Sequence, residues 1–248
     1  MTSTKFLAAG DCSFVIEFGA EISPEINRNI KRLMLDLEEQ NIDGLMEIIP
    51  TYCSMLINYN PCKITYKELE KKIKKLLKNI TKSEEEDEVK LIEIPTLYSD
   101  EYGPDLSYVA EYNGLTKEEV IKIHTSTDYL VYMLGFMPGF TYLGGMSERI
   151  ATPRLESPRL QILPGSVGIA GKQTGIYPSL SPGGWRIIGR TPLKLYNVES
   201  ENPVFISSGD YVRYIAIDEE EYEKIQAEVE EGVYKINIRK VKRGELNV

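Results

Sequence analysis

Between Gly135 and Pro192 the chain carries 11 of its 19 glycines and 7 of its 13 prolines. No segment punctuated so densely can run as a long helix, because proline removes a backbone donor and glycine raises the entropy cost of ordering. Short β-prone runs lie within and around this window: YLVYML, SVGIAG, WRIIGR, LKLYNV and YVRYIAI. Their spacing predicts a barrel or sandwich. The same window holds six bases, Arg149, Arg154, Arg159, Lys172, Arg186 and Arg190, against the two acids Glu148 and Glu156. It therefore carries +4 in a chain whose 29 Lys+Arg and 38 Asp+Glu leave −9, so the remainder carries −13. Glycine lets backbone N–H groups approach an oxyanion, and arginine grips carboxylate or phosphate through two parallel hydrogen bonds. The window reads either as a small-anion site or as a loop-rich β region with scattered surface arginines.

The overall acidity argues against a general nucleic-acid binder. No apolar run approaches the roughly 20 residues that span a bilayer, and the start, MTSTKFLAAGDCSF, lacks the basic end and long apolar stretch of a signal peptide. A cytoplasmic location with no membrane partner is expected. Cys12, Cys53 and Cys62 form no CxxC pair, which predicts reduced thiols without a cysteine zinc site. His124 is the only histidine, so a multi-histidine metal site is excluded and any His-dependent triad must use it. It falls at the end of a predicted helix. There it reads as a cation near a helix C-terminus or as an acid/base or ligand-contacting group. Gly165 to Gln173 (GSVGIAGKQ) fails the phosphate-loop spacing and lacks its Ser or Thr, and Gly135 to Phe140 (GFMPGF) fails GxGxxG. Neither a nicotinamide cofactor nor an intrinsic metal is expected.

The first ninety residues have a different grammar. Residues 12–18 alternate as a strand, and Ser23 with Pro24 supplies an N-cap and a proline at the first helical position. Ile26, Ile30, Leu33, Met34 and Leu37 then form an apolar stripe at helical period up to about Gln40. Strands at 45–49 and 54–59, a helix from Thr65 with Leu69, Ile73, Leu76, Leu77 and Ile80 on one face, and a strand at 89–94 complete a β-α-β-β-α-β order. That is the split βαβ arrangement of a ferredoxin-like domain, with Thr81 to Glu88 as a solvated acidic loop. Farther on, a short helix runs from Asp105 to near Gly114, and Thr116 with Glu119 forms a capping box for a helix through Ile123. The tail after Asp218 reads as a helix followed by a strand at 234–238. The fold class is α+β, divided at 1–95 and 96–248. Phe136, Phe140, Tyr142 and Trp185 read as core residues or, given the PGF and PGGW turns beside them, as the wall of a pocket.

Four segments carry a resemblance: His124 to Gly145, Pro153 to Arg159 (PRLESPR), Pro164 to Pro178 (PGSVGIAGKQTGIYP) and Ser181 to Pro192 (SPGGWRIIGRTP). With Gly10 to Gly19, the YNP at 59–61 and the GPDL at 103–106, they run nearly the whole length. Together they resemble the allophanate hydrolase subunit 1 family, and within it the branch of 5-oxoprolinase B subunits and sporulation-kinase inhibitors. The resemblance implies a ferredoxin-like domain followed by a cyclophilin-like β-barrel. It also implies an ATP-dependent enzyme, built with separate A and C subunits, that hydrolyses 5-oxo-L-proline to L-glutamate. ATP with Mg2+ is the implied co-substrate, held by this chain or by one of its partners. In the site that follows, Arg154 and Arg159 clamp an anion and the Gly165, Ser166, Gly168 and Gly171 backbone lines an oxyanion. Gln173 and Tyr177 donate hydrogen bonds, His124 is an acid/base or orienting group, and Phe136, Phe140 and Trp185 wall the pocket. The competing reading is a regulator that docks on a histidine kinase and blocks its autophosphorylation. A component of an allophanate hydrolase or carboxyltransferase ranks last. Prolyl isomerase activity would be an analogy of fold alone.

Overall fold

The structure is a computed structural model that describes residues 4–80, 88–135, 137–200 and 202–248. The chain divides into two compact units, Met1–Glu86 and Asp87–Val248. Of the loop expected at Thr81 to Glu88, positions 81–87 lie outside the described residues and Glu88 begins a strand instead.

The first unit contains β1 (Lys5–Ala8), β2 (Ser13–Glu17), α1 (Pro24–Gln40), β3 (Leu45–Pro50), β4 (Ser54–Tyr59) and α2 (Tyr66–Ile80). The Ser23 hydroxyl accepts a hydrogen bond from the Ile26 N–H at 3.2 Å, so α1 starts where the Ser-Pro pair predicts. Asn41 ends it at φ +41°. At α2, Thr65 and Glu68 exchange side-chain bonds to each other's N–H groups at 3.4 and 3.0 Å, a reciprocal cap. Ile30, Leu33 and Leu37 of α1 and Leu69 and Ile73 of α2 are fully buried with Phe14, Ile16, Met55 and Ile57 of the sheet. The sheet order is β1-β2-β4-β3.

This differs from the expected split βαβ order. The strand at 89–94 does not join this sheet, and β1 takes the edge beside β2, in register from Lys5↔Glu17 to Ala8↔Phe14. The reason is visible in burial. That strand, β5 (Glu88–Leu97), buries seven of its ten residues, on both faces rather than one. Successive buried residues from Ile94 to Leu97 suit a strand covered on both faces, not one in a two-layer sandwich with an open face.

The second unit continues with α3 (Leu106–Tyr112), α4 (Lys117–Thr125), β6 (Asp128–Leu134), β7 (Thr141–Gly144), β8 (Arg159–Ile162), β9 (Ser166–Ala170), β10 (Gln173–Ile176), β11 (Ser181–Gly183), β12 (Arg186–Arg190), β13 (Tyr211–Ile217), α5 (Glu219–Glu230) and β14 (Ile238–Lys242). The run β5-β13-β6-β7-β10-β9-β12 closes on itself through Arg190↔Leu97, a seven-stranded barrel. Only β5 and β13 pair in parallel, over Leu91–Leu97 and Tyr211–Ile217. Closure removes the exposed edges that an open sheet would leave. All seven strands contribute to one interior cluster, through Ile92, Val212, Val131, Leu143, Ile176, Val167 and Ile188. The Thr116–Glu119 capping box opens α4 as expected.

Two expectations in this half are corrected. The run 193–198 forms no strand, and the tail strand lies at 238–242 rather than 234–238, where it pairs with the first half of β5. β8 and β11, two short strands that alternation does not reveal, form a separate ribbon.

Candidate functional site

Strands alternate, so β9, β10 and β12 have a second face opposite the barrel interior. On it lies a small cluster of Phe140, Ile162, Ala170, Tyr177, Trp185 and Ile187. Gly168 and Gly175 are cross-strand partners on this face. A Cβ on Gly175 would stand 3.0 Å from the Trp185 ring, and one on Gly168 would stand 3.2 Å from the Trp185 Cβ. Glycine at both positions lets the indole rest directly on the sheet. Phe140 and Tyr177 meet the indole edge-to-face, at 5.7 Å and 85° and at 6.2 Å and 82°.

The arginines gather around this aromatic floor. Arg154 is exposed, with its guanidinium carbon 6.0 Å from the Trp185 ring, and among the described residues it has no carboxylate partner. Arg159 grips Asp105 with two hydrogen bonds, 2.8 Å to Oδ2 and 3.0 Å to Oδ1. Arg186 approaches the same carboxylate at 3.8 Å and lies 3.7 Å over the Tyr108 ring. Asp105 is buried, and its Oδ2 also accepts the Ile187 N–H at 2.7 Å. The cluster thus sets three guanidiniums against one carboxylate, and Arg154 projects the unbalanced charge outward. Burial pushes the Tyr177 hydroxyl up, while the Trp185 backbone N–H, Arg154 and Arg159 pull against that shift.

Sequence motifs and three-dimensional neighbours coincide here only in part. Arg154, Arg159, Tyr177, Phe140 and Trp185 come together. Gln173 begins β10 opposite Ala170 of the same cluster. Phe136 lies outside the described residues. The oxyanion role expected of the Gly165–Gly171 backbone meets a different arrangement. Gly165 donates its N–H to the Tyr177 carbonyl, Ser166 to Leu163 and Gly171 to Thr152, and Val167 to Ile169 lie between β10 and β12. The N–H groups of Gly165, Ser166 and Gly171 are thus already bonded to carbonyls of this chain. Gly165, at φ +81°, is required because a Cβ would strike the Thr191 carbonyl at 2.2 Å.

His124 stands apart from the arginines, in the last turn of α4 with its ring inside the barrel. Its Nδ1 lies 2.7 Å from the Tyr98 hydroxyl and its Nε2 2.8 Å from the Thr174 hydroxyl, with the Tyr129 and Tyr214 rings packed against it. Burial lowers its pKa to about 3. It is therefore neutral near pH 7, which corrects the reading of His124 as a helix-terminal cation.

Asp105 was within reach of sequence reasoning, because it sits in the GPDL segment. Gly103 precedes it where a Cβ would meet the Ile188 carbonyl at 2.2 Å, so the turn presses onto β12. Only its partner Arg159, 54 positions away, hides in one dimension. A separate open cleft lies between Pro164, Pro192, Lys194, Tyr222 and Gln226, and none of the expected site residues lines it.

Residues 4–206 match the model of the carboxyltransferase domain, subdomain C and D. The chain is 43% identical over 229 residues to the B subunit of 5-oxoprolinase from Bacillus subtilis, covering 88% of this chain and 95% of that protein. It is 47% identical over 130 residues to the B subunit of 5-oxoprolinase from Escherichia coli O157:H7, covering 52% of this chain and 60% of that one. Among solved structures it resembles a conserved uncharacterised protein from Pyrococcus horikoshii, at 49% identity and TM-score 0.52, covering 88% of this chain and all of that one.

Proposed function

Since this chain belongs to the carboxyltransferase-domain family of subdomains C and D, in the branch of the 5-oxoprolinase B subunits, we propose that it is the B component of an ATP-dependent 5-oxoprolinase. It works with the A and C subunits in the cytoplasm and contributes to opening 5-oxo-L-proline to L-glutamate. We read its two units as the ferredoxin-like and cyclophilin-like domains of that family. The observation that carries the reading is the 43% identity with the Bacillus subtilis protein over nearly the full length of both chains.

The outer-face cluster suits such a substrate. A five-membered lactam bearing a carboxylate needs a cation for the acid and a flat apolar surface for the ring. Arg154 provides the first and Trp185 the second, with Tyr177 at the indole's edge. Arg159 and Arg186, anchored by Asp105, raise the local positive potential that favours a developing oxyanion. Water alone opens an unstrained amide slowly, and phosphoryl transfer from ATP supplies both driving force and an activated carbonyl. Among the described residues no three His, Cys, Asp or Glu side chains converge as a metal site. The role of this chain is to bind and orient.

The test is omission. Purified A and C subunits, ATP and 5-oxo-L-proline are assayed for glutamate and ADP with and without this chain. Glutamate formation should require it, and unchanged formation in its absence would refute the reading.

A further inference from the structure

The buried imidazole is linked to the outer-face cluster by a directed hydrogen-bond chain. The Thr174 hydroxyl lies 3.1 Å from the Gly168 carbonyl, which can only accept; with the hydroxyl proton directed there both of its contacts are hydrogen bonds, whereas giving it to the imidazole would set two acceptor oxygens against each other. Toward His124 the same oxygen must then accept, and the proton of the imidazole sits on Nε2. Nδ1 is left as an acceptor, filled by the Tyr98 hydroxyl. The chain runs Tyr98 O–H to Nδ1, Nε2–H to Thr174, and Thr174 O–H to the carbonyl of Gly168. It starts just after β5, crosses the barrel interior, and ends on the glycine whose outer side backs Trp185.

We infer that His124 is a positioning residue, fixed as the Nε2–H tautomer, that acts through Thr174 on Gly168 and so sets the floor carrying Trp185 beside Arg154. Both ring nitrogens are engaged, and the aromatic rings of Tyr129 and Tyr214 flank the imidazole. The residue touches no substrate. Its contribution to turnover rests on the oxoprolinase reading, whereas its effect on Trp185 does not.

Two nuclei make the test unambiguous, because the chain has one histidine and one tryptophan. In 15N-labelled wild type, the imidazole should show a protonated Nε2 and an unprotonated Nδ1, unchanged from pH 8 to pH 5. A protonated Nδ1, or titration near pH 6.5, overturns the inference. Thr174→Val keeps the side-chain shape and removes the hydroxyl. It should shift the Trp185 indole N–H resonance, as should His124→Asn, which reaches only Tyr98, while Tyr98→Phe should shift it less than either. If His124→Asn does not fold, Thr174→Val decides alone, and an unmoved indole resonance in that variant refutes the linkage. In reconstituted enzyme, Thr174→Val should lower kcat/KM for 5-oxo-L-proline by roughly tenfold, on the scale of small misplacements at a reacting centre. Spectra as expected without any dependence of glutamate formation on this chain would refute the oxoprolinase reading and leave the positioning role standing.

Discussion

Replacing Asp105 with Asn should cost the second unit about 2–3 kcal/mol. The Asp105 side chain is 7% exposed and makes three short contacts: two to Arg159, at 2.8 and 3.0 Å, and one from the Ile187 N–H at 2.7 Å. Removing one partner of a fully buried ion pair costs about 3–5 kcal/mol, because the other charge is left without compensation. Here the Arg159 side chain is 32% exposed, so water recovers part of its hydrogen bonding and the cost falls below that range. Asparagine still accepts from Ile187 but cannot meet the guanidinium fork with two oxygens. At about 2–4 °C per kcal/mol for a unit of this size, the melting temperature should drop by about 4–12 °C. Trp185, the only tryptophan, reports the unfolding directly, since its carbonyl lies 3.5 Å from the Arg159 guanidinium. Urea melts of wild type, Asp105→Asn, Arg159→Gln and the double variant close a cycle with an expected coupling of about 1–2 kcal/mol. A loss below about 0.5 kcal/mol, or strict additivity, would show that the pair does not anchor the arginine cluster.

Other consequences follow from the same contacts. Gly175→Ala places a methyl 3.0 Å from the indole and 3.1 Å from the Thr141 carbonyl, and overpacking of that kind should destabilise by about 1–3 kcal/mol and shift Trp185 emission. The folded pKa of His124, about 3, lies below its unfolded value. The unfolded chain therefore binds the extra proton first, and stability is full above about pH 6.5 and lost as the pH falls toward 3, at up to about 1.4 kcal/mol per pH unit. Denaturation between pH 7 and pH 4 should show that slope in wild type and a slope smaller by one proton in His124→Gln. Arg213→Met leaves the Asp128 carboxylate, fully buried and also bonded by the Asn247 N–H at 2.8 Å, without its guanidinium. Thermal melts should show a loss of about 3 kcal/mol or more.

How much of this was legible in one dimension depends on how far each determinant reaches. The starts of α1 and α4 were written locally, in Ser23-Pro24 and in Thr116 with Glu119, and capping chemistry needs only three residues of context. The fate of β5 was not, because whether a buried strand serves one sheet or another is settled by partners more than a hundred residues away, here Tyr211–Ile217. The candidate site divides the same way. The glycines, arginines and aromatics of the window were recognisable by type, and the structure explains Gly168 and Gly175 as the bed of Trp185. That Arg159 is already held by Asp105, and that His124 is neutral inside a barrel, follow from burial and pairing across strands. Neither has a local signature.

The claim that this chain presents a small anion to an oxoprolinase through its outer-face arginine is met most directly at Arg154, which is exposed and supports no other described part of the fold through a carboxylate. Arg154→Gln should change stability by less than about 0.5 kcal/mol. Mixed with the A and C subunits, ATP and 5-oxo-L-proline, the variant should still assemble and should raise KM for 5-oxo-L-proline by roughly tenfold or more, the worth of a charge-assisted bond. Wild-type KM and kcat from that variant would contradict the account.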